Sequence, residues 1–163
     1  MAVYPADAPP QTVERVVLMP VGDRYEISHD RARLDLDMIH GFLSLAYWSP
    51  DVPRHVVEKA VDHSVCAGAY LGDEQVGFAR AVTDYATFAY LADVFVLQEH
   101  RGRGVATAMV QSLLLHPDLQ GLRTWLLLTR DAHGLYAKLG FSGLDDPRRT
   151  MIVQDRDIYR RGS

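Results

Sequence analysis

Two spacings of apolar residues alternate along this chain, one suited to helices and one to strands. Met38, Ile39, Phe42, Leu43 and Ala46 fall on one helical face, and Asp35 precedes them as an N-cap. They predict a helix over 36–47. Tyr47-Trp-Ser-Pro-Asp-Val-Pro53 interrupts it as an aromatic loop. Pro53 is placed to open a second helix over 54–64, burying Val56, Val57, Ala60 and Val61. Tyr25 to Ser28 reads as a short strand. Val65 to Leu71 and Gln75 to Thr83 are β-prone runs joined at Gly72-Asp73-Glu74, the pattern of a hairpin.

Phe88 to Leu97 is apolar on both alternations and broken only by Asp93, so it predicts a strand inside the sheet. A polar turn with Gly102 and Gly104 follows. The period then becomes helical over 105–115, until His116-Pro117 stops it. A strand over 123–129 should return parallel to the central one through a right-handed crossover. A short helix over 132–139, capped by Asp131, ends at Gly140. Met151-Ile-Val153 completes the set as a last strand. The expected fold class is α/β in the broad sense, an α+β mixed sheet. Antiparallel strands come first, then one β-α-β crossover, with helices packed on the sheet.

Thr12 to Pro20 has no firm period, and residues 1–11 carry three prolines and read as a loose arm. At 163 residues without an internal repeat or linker, one domain over 1–163 is expected. A net charge of −4 argues against nucleic acid or an anionic membrane as partner. A single cysteine, Cys66, rules out an intrachain disulfide or a cysteine metal cluster. No signal-peptide pattern or membrane-length apolar run is present, which suits a cytoplasmic setting. Cys66 reads as a small buried hydrophobe rather than a covalent acyl carrier. His40, His55 and His63 lack ligand partners at metal spacing, and Glu58 and Asp62 read as a solvated helix face.

The order strand, glycine turn, helix presents unpaired N–H groups and a positive dipole to an anion. Arg101 and Arg103 sit at that helix start, where a cation is unfavourable by up to ~1 kcal/mol unless a polyanion binds. Three phosphate motifs compete for this cradle. The nucleotide P-loop string is absent. The dinucleotide fingerprint lacks its third glycine, because Thr107 stands there.

The third candidate fits. Arg101-Gly-Arg-Gly104-Val-Ala106 matches Gln/Arg-x-x-Gly-x-Gly/Ala, and Leu135-Tyr-Ala-Lys-Leu-Gly-Phe141 matches Leu-Tyr-x-Lys-x-Gly-Phe. Both, in this order, resemble the GNAT superfamily of N-acetyltransferases. The resemblance runs from about Tyr25 to Val153. It implies an acyl-CoA N-acyltransferase fold with a splayed central parallel pair, and acetyl-CoA as cofactor. The pyrophosphate would fall on Gly102, Arg103, Gly104, Val105, Ala106 and Thr107, with Arg101 nearby. The pantetheine arm would lie along Val94, Phe95, Val96 and Leu97. Where many relatives carry a cofactor-contacting asparagine, this chain has Thr129, which offers one hydroxyl.

By the same resemblance Tyr136 is the general acid for the thiolate, and the Val94 N–H an oxyanion donor. The plain alternative for Tyr136 is a packed aromatic; His133, one turn earlier, reads as an exposed polar residue. Asp93 stands between two readings, a general base or a structural acid paired with an arginine such as Arg80. Acceptor contacts are expected from Tyr47, Trp48, Tyr85 and Phe88, with Asp51 and Thr87 near them. The expected acceptor is a small-molecule or peptide primary amine, and no metal is expected. Homodimers are common in the family, and no residue here locates an interface. A non-catalytic acyl-CoA sensor, or an O- or longer-chain acyltransferase on the same fold, is the alternative.

Overall fold

A computed structural model describes residues 24–161; the arm at 1–11 and the segment at 12–20 lie outside the described residues. Five strands form one sheet in the order β1-β2-β3-β4-β5: β1 Tyr25–Ser28, β2 Val65–Leu71, β3 Glu74–Thr83, β4 Phe88–Val96 and β5 Thr124–Leu127. The first three pairings are antiparallel and β4–β5 is parallel. Four helices cover it: α1 Leu36–Leu43, α2 Arg54–Asp62, α3 Val105–Leu114 and α4 His133–Ala137. The mixed α/β architecture expected from the periodicity is present.

Local chemistry explains the boundaries. The Asp35 carboxylate accepts from the N–H groups of Asp37 and Met38 and starts α1. Pro53 lies one residue outside α2, as its cap rather than its first turn. Gly72, at φ 62°, makes the β2–β3 turn. The two layers of core follow strand alternation. Cys66, Phe78 and Phe95 pack with Ile39, Leu43, Val57 and Val61 of α1 and α2. Ala67, Ala69 and Ala81 pack with Met109, Val110 and Leu113 of α3.

The Tyr70 ring folds back over Gly68, two residues away, so that a Cβ there would lie 2.6 Å from the Tyr70 hydroxyl. That buried hydroxyl has no hydrogen-bond partner among the described residues. Gly68→Ala should therefore lower stability by about 1–3 kcal/mol through overpacking. Tyr70→Phe, which removes an unsatisfied oxygen, should be neutral or stabilising. Thermal melts of the two variants check this pair.

Three expectations are corrected. Met151-Ile-Val153 forms no strand; its side chains are 95%, 66% and 105% exposed. Three apolar residues between Thr150 and Gln154 bury nothing here, and local apolarity alone does not hold a strand. The parallel pair consequently lies at the end of the described sheet rather than at its centre. Finally, Asp131 does not cap α4. The Thr129 hydroxyl accepts the Ala132 N–H at 3.0 Å instead, and both β5 and α4 are shorter than the apolar pattern suggests.

Candidate active site

The site begins where two strands part. Parallel pairing of β4 with β5 runs from Phe88 opposite Thr124 to Leu91 opposite Leu127 and then stops. β4 continues alone on that side to Val96. Its other side has a bulge: Phe78 pairs with Phe95, but Arg80 pairs with Ala92, so Asp93 and Val94 together face the single residue Ala79. Asp93 absorbs the bulge at φ 52°, a region that aspartate tolerates better than most residues. The bulge re-aims the strand, and past Leu91 the side of β4 that faced β5 has no partner strand among the described residues.

The same strand delivers the glycine turn. Arg101 braces the turn by donating its Nε–H to the Val96 carbonyl at 2.9 Å. Gly102 and Gly104 have φ of 73° and 80°, and an added Cβ at either would meet nothing. Backbone conformation and open space, not packing, require glycine at both. Gly104 is the N-cap of α3 and supplies no side-chain cap. The first N–H groups of this ten-residue helix are thus available to an anion. Arg103 makes no hydrogen bond or ion pair among the described residues.

Beyond the strand gap lies a cleft of about 1050 Å³. It brings together Tyr47, Trp48, Asp93, Val94, Thr129 and Tyr136. Tyr85 and Phe88, expected to contact the acceptor, do not line it. Phe88 opens β4, about five residues or roughly 17 Å along the strand from Asp93, and Tyr85 lies in the turn before it. Phe95, Val96, Leu97 and the glycine turn continue from the cleft along β4 toward α3.

Asp93 is held from two sides. Arg80 Nε donates to Oδ2 at 2.5 Å and Trp48 Nε1 donates to Oδ1 at 3.1 Å. The ion pair is largely buried, with side chains 17% and 12% exposed. Arg80 also donates to the Ser64 hydroxyl at 3.1 Å. Such a pair orients the carboxylate while leaving two of its roughly four lone-pair directions open. Tyr136 is half-buried against Phe141, edge to face at 5.9 Å between centroids. Burial, and secondarily the nearby Tyr47 hydroxyl, raise the Tyr136 phenol above its ordinary pKa. It therefore keeps its proton at neutral pH. Cys66 is buried, and desolvation pushes its thiol up to about 11. That makes it a poor nucleophile.

Three contributors escaped the sequence reading. Tyr90 lines the cleft from β4, and burial followed by the nearby Asp93 charge raises its phenol pKa. Arg130 lies with its guanidinium 4.0 Å from the centre of the Tyr47 ring. The tail from Gln154 to Arg160 forms the outer wall, tied back where Arg160 meets Asp51 at 3.4 Å. Tyr90 could have been found as the tyrosine nearest Asp93 in the strand. The other two depend on long-range packing that leaves no periodic trace.

Comparison with known proteins agrees with this geometry. The model of the Acetyltransferase (GNAT) family matches residues 32–141. A Gibberella zeae protein whose name places it among the acetyltransferases is 36% identical over 137 residues, covering 70% of this chain and 76% of its own. A crystal structure of a GNAT-family protein from Xanthomonas campestris pv. campestris is 48% identical. It superposes with a TM-score of 0.80 over 83% of this chain and 96% of its own. A predicted acetyltransferase from Clostridium acetobutylicum, solved with acetyl-CoA, shares the fold at 16% identity and a TM-score of 0.61, over 80% of this chain and 94% of its own.

Proposed function

Because the chain belongs to the GNAT acetyltransferase family, we propose that it is an acetyl-CoA-dependent N-acetyltransferase acting on a primary amine by direct attack. The observation that carries this reading is the parting of β4 from β5. It leaves a backbone edge that runs straight into an uncapped helix start, with Tyr136 in the adjoining cleft.

The residues suit the cofactor. N–H groups of Val105, Ala106 and Thr107, with Gly102, Arg103 and Gly104 around them, would receive the pyrophosphate, and Arg101 braces the turn. The edge from Val94 to Val96 would pair with the pantetheine amides and guide the chain past Leu97. Thr129 would serve by shaping the turn before α4, since its hydroxyl already accepts from Ala132. Acetyl-CoA supplies the activated acyl carbon. The protein's part is to hold the amine, remove its proton and protonate the leaving sulfur. Asp93 accepts an N–H of the incoming ammonium and takes up its proton, directly or through one water. As the amine nitrogen bonds to the acyl carbon and the C–S bond breaks, the Val94 N–H would oppose the oxygen's developing charge, Tyr136 would give its phenol proton to sulfur, and the second amine proton would pass through water to restore the Tyr136 phenol.

Saturable stabilisation by acetyl-CoA or CoA tests the cradle. At a hundredfold excess over Kd, about 2.7 kcal/mol is expected, roughly 5–10 °C in Tm. Gly104→Val, which forces a β-branched residue to positive φ beside the phosphate path, should remove most of that shift. A wild-type protein with no saturable shift would refute the cofactor assignment.

A further inference from the structure

We propose that the acceptor carries an anionic group beyond its amine, and that the Arg130 guanidinium receives it. This rests on the transferase reading above and names the class of amine. The cleft's charges are mostly committed. Asp93 pairs with Arg80, Asp155 with Arg161, and Arg160 with both Asp51 and Asp157. Arg130 differs. Its one charged neighbour is Asp131, at 3.6 Å, which is beyond hydrogen-bond distance. Its guanidinium makes no hydrogen bond among the described residues, and its side chain is 66% exposed.

Arg130 is nonetheless held in one place. Its guanidinium lies over the Tyr47 ring at 4.0 Å, and Thr129 fixes the turn it stands on through the Ala132 N–H. The stack occupies a face of the planar group and leaves the edge N–H fork available for a carboxylate or phosphate. Tyr47 meets Trp48 edge to face at 5.0 Å, and the Trp48 indole donates to Asp93. Arg130, Tyr47, Trp48 and Asp93 thus form one continuous wall, cationic at one end and anionic at the other. An acceptor spanning it places its ammonium at Asp93, its apolar middle along the aromatic rings and its anion at Arg130.

Matched amine pairs test this with acetyl-CoA held at saturation. 6-Aminohexanoate is compared with 6-aminohexanamide, L-phenylalanine with L-phenylalaninamide, and O-phosphoethanolamine with ethanolamine. Thiol release gives kcat/KM, and calorimetry gives binding to the CoA-loaded protein. We expect the anionic member of at least one pair to be preferred about tenfold or more, through KM. The pair that shows it distinguishes carboxylate from phosphate. In Arg130→Met, which keeps the stem against Tyr47, that preference should vanish, the anionic member losing about tenfold more than its neutral partner. Equal or better use of every neutral partner overturns the proposal. So does an equal loss for both members in Arg130→Met, the signature of a residue that only steadies the Tyr47 loop. If no amine releases thiol, the transferase reading fails, and the calorimetric preference still decides this one.

Discussion

Asp93→Asn should lower kcat/KM at least a hundredfold and also lower the melting temperature. Asparagine keeps the shape and tolerates the positive φ at this bulge, so backbone strain does not confuse the result. What changes is charge. Arg80 then stands 17% exposed without its counter-ion, hydrogen-bonded to the neutral Ser64 hydroxyl. An uncompensated, largely buried guanidinium costs about 2–3 kcal/mol, or roughly 5–10 °C in a chain of this size. The double variant Arg80→Gln with Asp93→Asn separates the two roles. Removing both charges should recover most of the stability, because an ion pair replaced whole is nearly neutral. Activity should stay lost if Asp93 takes the amine proton. Recovery of activity along with stability would reduce Asp93 to an architectural acid.

Tyr136→Phe should lower kcat about a hundredfold while leaving the acetyl-CoA-dependent Tm shift in place. General-acid groups contribute typically 10²–10⁴ in rate, and a thiolate is already a fair leaving group, so the lower end is expected. The variant keeps the ring's contact with Phe141. The pH dependence has a definite sign. Burial raises the Tyr136 pKa, so the proton-donating form persists through neutrality. The midpoint of any loss of kcat from its titration should lie above the ordinary tyrosine value of ~10. A Tyr136→Phe enzyme with unchanged kcat would assign the proton to another donor, and Tyr90 is the nearest candidate by environment.

Sequence pattern located what depends on neighbours close in the chain. β2, β3 and β4 begin and end within one residue of expectation, because apolar runs and turn glycines are local. The glycines at 102 and 104 take the positive φ that the cradle motif implies. What was not legible depends on contacts between distant elements. The Asp93–Arg80 pair, one of the two readings open for Asp93, is present, but the bulge that presents Asp93 is set by pairing between two strands and is invisible in hydropathy. The Met151–Val153 run has strand propensity but no described edge that it joins, so propensity misled there. Tyr85 and Phe88 are expected to contact the acceptor because they lie just before and at the start of β4, yet the cleft opens near its other end, around Asp93. Arg130 meets Tyr47 across 83 positions, a contact that no spacing rule anticipates.

The most direct test is release of free thiol from acetyl-CoA by the full chain in the presence of a primary-amine panel. Mass spectrometry should follow the acetylated amine. At least one amine should release thiol with saturable kinetics, and each thiol should match one acetyl group found on nitrogen. Saturable acetyl-CoA binding with no thiol release from any amine would contradict a transferase and leave a protein that only binds the coenzyme.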